Sequence, residues 1–177
     1  MRMTRMEIYG VSFDLVGKQP IVLLKTADGN KFLPIWIGHS EAAAILTKLQ
    51  NATVPRPLTH DLLVNILGEL EVDVVRVTVT ELRENTFHAS ITVARDGTEI
   101  EIDSRSSDAI AVAVRAQAPI FAADAVIEES AIEFEGEEVN EEEIIDEFKS
   151  FLDKVSAEDF AEAEVEEEEE DDEAERE

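Results

Sequence analysis

Apolar and polar residues alternate with period two over residues 74–103. Val75, Val77 and Val79 alternate with Arg76, Thr78 and Thr80, and Phe87, Ala89, Ile91 and Val93 with His88, Ser90 and Thr92. Ile100 and Ile102 then alternate with Glu99, Glu101 and Asp103. Turn signals at Glu84-Asn85 and Asp96-Gly97 join the three runs, which predicts an antiparallel meander with one wet face. Upstream, residues 5–13 read as a strand containing Ile8 and Val11, and 21–26 with 31–37 as a hairpin closed at Asp28-Gly29.

Helical spacing takes over elsewhere. Ser40 opens a helix carrying Ala42, Ala43, Ile45, Leu46 and Leu49 that ends near Asn51. Thr59 is an expected N-cap, with Leu58 placed to staple on Leu63, and Leu62, Leu63, Ile66, Leu67 and Leu70 form an apolar face. Residues 107–117 run Ala109-Ile110-Ala111-Val112-Ala113-Val114 without a polar gap, so this helix is buried in the domain or at a subunit contact. Pro119-Ile120-Phe121 starts a last strand, and 125–131 a brief helix. The order is three strands, two helices, three strands, a helix and a strand. Clustered rather than alternating elements predict an α+β fold, a mainly antiparallel mixed sheet with helices packed on it.

Beyond this domain, residues 1–132, the character of the chain changes. Within 133–157, Ile144, Ile145, Phe148, Phe151, Leu152 and Val155 recur at helical spacing, predicting an amphipathic helix that docks on the body or on a partner protein. Residues 158–177 hold 14 acids and one arginine and are expected to be disordered. The formal charge of −27 is therefore misleading: residues 128–177 carry −23, residues 1–127 only −4. A near-neutral body lacks the basic footprint of a tight polyanion binder but leaves room for a local cationic groove. With no cysteine, disulfides, thiolate catalysis and cysteine-bound zinc are excluded. No signal peptide or membrane span is visible, and the expectation is a cytoplasmic protein.

Two segments combine groups that could do chemistry: Arg56-Pro57-Leu58-Thr59-His60-Asp61 and Ser104-Arg105-Ser106-Ser107-Asp108. Each puts a cation, hydroxyls, free backbone N–H groups and a carboxylate at a helix start. If the two converge, Asp61 and Asp108 could ligate a divalent cation, with Glu41 as a further ligand after Gly38 and His39. Arg56 and Arg105 would clamp phosphate, His60 would act as a general base or an additional ligand, and Thr59, Ser106 or Ser107 would orient phosphate or water. The plain alternative is that these acids complement helix dipoles, at ~0.3–1 kcal/mol each, and pair with nearby arginines. Walker-type and HExxH motifs are absent.

Several of these segments occur in one order. Phe32-Leu33-Pro34-Ile35-Trp36-Ile37-Gly38 precedes Ser40-Glu41-Ala42; Arg56 to Leu62, Thr86-Phe87, and Ser104-Arg105 through Ser107-Asp108-Ala109-Ile110-Ala111 follow. The chain in this respect resembles the bifunctional nuclease (BFN-domain) family over about residues 5–127, and Phe148 to Phe160 resembles the C-terminal helix of actinobacterial members. The resemblance implies an α+β fold, homo-oligomerisation and a nuclease acting on both DNA and RNA. The reading built on it is metal-assisted phosphodiester hydrolysis with magnesium or manganese, using Arg56, Thr59, His60, Asp61, Arg105, Ser107 and Asp108, with Glu41 as an added ligand. Ser106 stands where the family usually has proline, His88 where it has tyrosine, and Asn85 where it has glycine. The rival reading is a non-enzymatic oligomeric interaction module, in which the same polar residues only secure helix starts.

Overall fold

The computed structural model describes residues 2–14, 18–27 and 29–133, so the expected amphipathic segment at 141–155, the acidic tail and Asp28 lie outside the described residues. In chain order the elements are β1 (Met3–Asp14), β2 (Gln19–Thr26), β3 (Lys31–Trp36), α1 (His39–Leu49), α2 (Thr59–Glu69) and β4 (Asp73–Arg83). They continue with β5 (Thr86–Arg95), β6 (Thr98–Arg105), α3 (Ser106–Ala116), β7 (Ile120–Ala123), α4 (Asp124–Ser130) and β8 (Ile132–Glu133).

All strands join one mixed sheet in the order β6-β5-β4-β7-β1-β2-β3-β8. β1, β2 and β3 form one antiparallel set and β4, β5 and β6 the other. Short β7 fuses them, parallel to β4 and antiparallel to β1. The expected α+β architecture is what the chain adopts. Both meander turns are built on left-handed backbone, with φ of 49° and 52° at Glu84 and Asn85, and 52° and 77° at Asp96 and Gly97. Two successive positive φ angles match the right-handed twist of the paired strands, which fixes the register.

α3 is the central helix. It lies on β4 and β5, and both α1 and α2 pack against it. Ala109, Ile110, Ala111, Val112 and Ala113 are all buried in the main core with Val77, Val79, Ile91 and Val93, so the gapless apolar run is explained within one chain. Burial of a side chain such as Ile110 contributes roughly 1.5–3 kcal/mol. Gln117 ends the helix in left-handed conformation (φ 55°), and Ala118 N–H closes the turn on Ala113 O at 3.1 Å.

Three local expectations are corrected. The helix starts are secured differently: Gly38, Leu58 and Arg105 are the extended residues before α1, α2 and α3, and none caps with its side chain. Ser40, Thr59 and Ser106 therefore sit inside the first turn. Second, α2 turns Val64 and Leu67 toward the core, while Leu62, Leu63, Ile66 and Leu70 remain exposed. Periodicity identified the helix but merged two apolar faces into one. Third, the outer face of the meander is only partly wet, because Thr78 and Thr92 are buried there. Arg76, Thr92 and Glu101 share one cross-strand row, and the Arg76 side chain spans β5 to reach Glu99 (3.0 Å) and Glu101 (3.8 Å), roofing Thr92. Among the described residues no helix is long and apolar enough to cross a membrane.

Candidate functional site

The three helix starts repeat one device. With Gly38, Leu58 and Arg105 preceding them, Glu41, Asp61 and Asp108 each fall at the third position of a first turn. Only Asp61 folds back on its own backbone, accepting the Leu58 N–H at 2.8 Å. The carboxylates then turn to arginines on α3 and its junction with β6.

Arg105 occupies that junction. Its Nε donates to Asp108 Oδ2 at 2.7 Å and its Nη2 to Glu41 Oε1 at 2.9 Å. Asp108 uses its other oxygen, Oδ1, for His60 Nε2 at 2.9 Å. The result is a continuous chain, Glu41–Arg105–Asp108–His60, that ties the starts of α1, α2 and α3 together. Burial acts to raise the Asp108 carboxyl, but hydrogen bonds from Arg105 and His60, with their charges, outweigh it and hold the group below the usual carboxylate range. The bonds to Asp108 and Glu41 and their charges, with Asp108 leading, push Arg105 above its ordinary value against the effect of burial. The Glu41 carboxylate also folds over Gly38, where a Cβ would collide with it.

Asp61 belongs to a second cluster. Its Oδ1 accepts from Arg115 Nε at 2.6 Å. Arg115 is 4% exposed and also donates to Ala111 O (2.9 Å) in its own helix and to Ala44 O (3.0 Å) in α1. One guanidinium thus bridges three helices. Burial raises the Asp61 carboxyl, but the Leu58 N–H and Arg115 bonds and the charges of Arg115 and Lys48 bring it below the usual range.

An open cleft of about 460 Å³ adjoins the first cluster. Its apolar wall is formed by Trp36, Ile37, Leu82 and Phe87, and its polar end by Arg105, Ser106 and Ser107, with His39 alongside. Arg105 is common to the cleft and the charge chain. Its side chain is 66% exposed, and no hydrogen bond is made by its Nη1 among the described residues.

The residues expected from sequence therefore divide. His60, Asp108, Arg105 and Glu41 are joined directly, and Ser107 adjoins them at the cleft. Asp61 neighbours His60 in the chain yet is held by Arg115, so the two aspartates serve different guanidiniums. Thr59 and Arg56 are exposed and outside both clusters. The sequence reading missed Arg115, because a base in a last helical turn already has a dipole explanation. It also missed the cleft wall, since Trp36 and Phe87 come from distant strands. Each carboxylate proposed as a metal ligand is engaged by a guanidinium, and no three His, Asp or Glu among the described residues group so as to hold a metal ion.

Fold and site together define a class: an α+β domain with an acid–guanidinium–imidazole relay at clustered helix starts, beside a cleft the size of a small ligand. The sequence profile of the bifunctional nuclease domain matches residues 22–135, and the chain belongs to that family. An uncharacterised protein of Mycobacterium tuberculosis is 37% identical over 164 residues, covering 89% of this chain and 98% of the relative. Bifunctional nuclease 1 of Oryza sativa is 29% identical over 103 residues, covering 56% of this chain and 31% of the plant protein. Bifunctional nuclease 1 of Arabidopsis thaliana is 28% identical over 105 residues, covering 57% and 32%.

Proposed function

We propose that this protein is a nuclease that hydrolyses phosphodiesters of both DNA and RNA with modest activity; its plant relatives carry the name bifunctional nuclease. The observation that carries the reading is the Glu41–Arg105–Asp108–His60 chain beside the cleft. Arg105, held by two carboxylates, keeps Nη1 for a phosphate oxygen and offsets charge as it develops on phosphorus. His60 in its Nε2–H tautomer donates to Asp108 and retains Nδ1 to take a proton from the attacking water. The phosphorus–oxygen bond to the leaving group breaks as the new one forms, and solvent protonates the departing oxygen. Ser107 orients the phosphate.

A magnesium or manganese ion is expected from the carboxylates at the helix starts, but their placement does not fit one. Arg105 lies between Glu41 and Asp108, and Asp61 is committed to Arg115, so the three carboxylates do not converge on a common point where an ion could sit. The test is cleavage of a labelled single-stranded DNA and its RNA equivalent, with magnesium, manganese or EDTA. Arg105→Ala, Asp108→Asn and His60→Gln are each expected to lower the rate at least ~100-fold without change in helix content. Parental rates in the Arg105→Ala and Asp108→Asn proteins would overturn the reading.

A second reading, an oligomeric interaction module, is favoured by the outward face of α2, where Leu62, Leu63, Ile66 and Leu70 are all at least 40% exposed. Four such side chains fall well short of the ~800 Å² per partner of a stable interface, which is why it ranks second. Sedimentation of the parent and of a Leu62→Ser/Ile66→Ser protein separates the two. A concentration-dependent dimer lost in the variant, with no cleavage by either protein, favours the module.

A further inference from the structure

The cleft has two dissimilar ends. At the polar end, Ser106 and Ser107 are the first two residues of an eleven-residue helix, where backbone N–H groups have no partner within the helix. Both residues are only 6% exposed, both line the cleft, and neither hydroxyl has a hydrogen bond to any described residue. The residues are enclosed but their hydroxyl oxygens are not among the sealed, unsatisfied atoms, so both remain open to the cleft, where with the helix-start N–H groups and the guanidinium they can donate to an anion. At the other end, Trp36, Leu82 and Phe87 present an apolar wall. A volume of about 460 Å³ lies within the ~300–1,000 Å³ of small-ligand sites.

We propose that this cleft binds a single nucleotide unit of an unpaired strand, its phosphate at Arg105, Ser106 and Ser107 and its base against Trp36, Leu82 and Phe87. This deepens the nuclease reading by naming the substrate class. A stacked base pair cannot place one base in such a space without leaving its partner, so duplex must fray or flip first. Arg105 shares its charge with Glu41 and Asp108, so affinity comes from directed N–H and O–H donors plus the apolar wall rather than from net charge. Inorganic phosphate alone is therefore a poor ligand. Binding is also less salt-sensitive than that of a basic groove.

Trp36 is the sole tryptophan, so intrinsic fluorescence reports the cleft directly. Titrations of the full-length chain in EDTA would use adenosine 5′-monophosphate, adenosine, inorganic phosphate, a short single-stranded oligonucleotide and its blunt duplex. The mononucleotide and the single strand are expected to quench Trp36. Adenosine, phosphate and duplex should bind at least about tenfold more weakly, as befits loss of one or two charge-assisted hydrogen bonds or of the stacked base. Ser106→Pro is the informative variant. Arg105 is extended (φ −63°, ψ 146°), as a residue before proline must be, and the first helical position tolerates proline. It removes one hydroxyl and one N–H and should raise the mononucleotide Kd about tenfold with Tm unchanged. Unaltered affinity in Ser106→Pro, equal binding of duplex, or no response to millimolar mononucleotide would overturn the proposal. Quenching without cleavage under any metal condition would instead remove the nuclease activity and leave the cleft assignment standing.

Discussion

Replacing Asp61 with alanine distinguishes a structural anchor from a catalytic carboxylate. Arg115 is 4% exposed and Asp61 is its only acidic partner among the described residues, the other two bonds going to neutral carbonyls. Removing the carboxylate leaves a buried guanidinium charge uncompensated, a change that costs about 3–5 kcal/mol when the pair is well enclosed. Asp61 is itself 28% exposed, so water reaches the vacated place and the lower end applies. Loss of the acceptor for the Leu58 N–H adds about 0.5–1.5 kcal/mol. The total of about 3.5–4.5 kcal/mol corresponds to a fall of about 2 M in the urea midpoint at an m-value near 2 kcal/mol/M. Asp61→Asn, which keeps an acceptor, should lose about half as much. Adding Arg115→Met to Asp61→Ala should restore about 2 kcal/mol, because no stranded charge remains. The assay is equilibrium unfolding followed by circular dichroism at pH 7. An Asp61→Ala protein within about 0.5 kcal/mol of the parent would refute the reasoning, showing that Arg115 is adequately solvated alone and that Asp61 is free for another role.

Gly38→Ala should displace the Glu41 carboxylate from Arg105 and cost about 1 kcal/mol, and that cost should disappear in a Glu41→Ala background, a coupling read by a double-mutant cycle. Despite burial, Asp61 and Asp108 are both held below the usual carboxylate range when folded, by their bonds to the Leu58 N–H and Arg115 and to Arg105 and His60, so the unfolded chain takes up their protons first as pH falls. Their contribution is full well above pH 3.8 and is lost below it, and an Asp61→Asn/Asp108→Asn protein should show a flatter Tm against pH between about 5 and 2. Gln117→Gly should raise Tm by about 3 °C, since glycine adopts the left-handed geometry at the end of α3 without strain. Unchanged or lowered Tm would remove that account.

What the sequence reveals follows the range of the interactions involved. The meander was legible because each turn and its alternating flanks lie within about ten residues of one another, and the burial of α3 because Ala109 to Val114 leaves no polar side to expose. The parallel seam between β4 and β7 was not legible, since a four-residue strand pairing with a partner more than 40 residues earlier leaves no periodic trace. Within the candidate site, residue types and helix-start positions could be read locally. Which carboxylate meets which guanidinium could not: Glu41 finds Arg105 across 64 positions and Asp61 finds Arg115 across 54. The outward face of α2 was misassigned for a related reason, as helical periodicity is the same whether an apolar stripe meets core or solvent.

The anchoring of three helices on Arg115 bears on how the layer comes apart. A guanidinium joined to α1, α2 and its own helix cannot release one of them without weakening its hold on the rest. Amide protons in α1 and α2 should accordingly exchange through a shared opening event, at comparable free energies, instead of each helix fraying alone. Because Glu41 and His60 ride on those same two helices, any thermal excursion of that layer also dismantles the arrangement around Arg105.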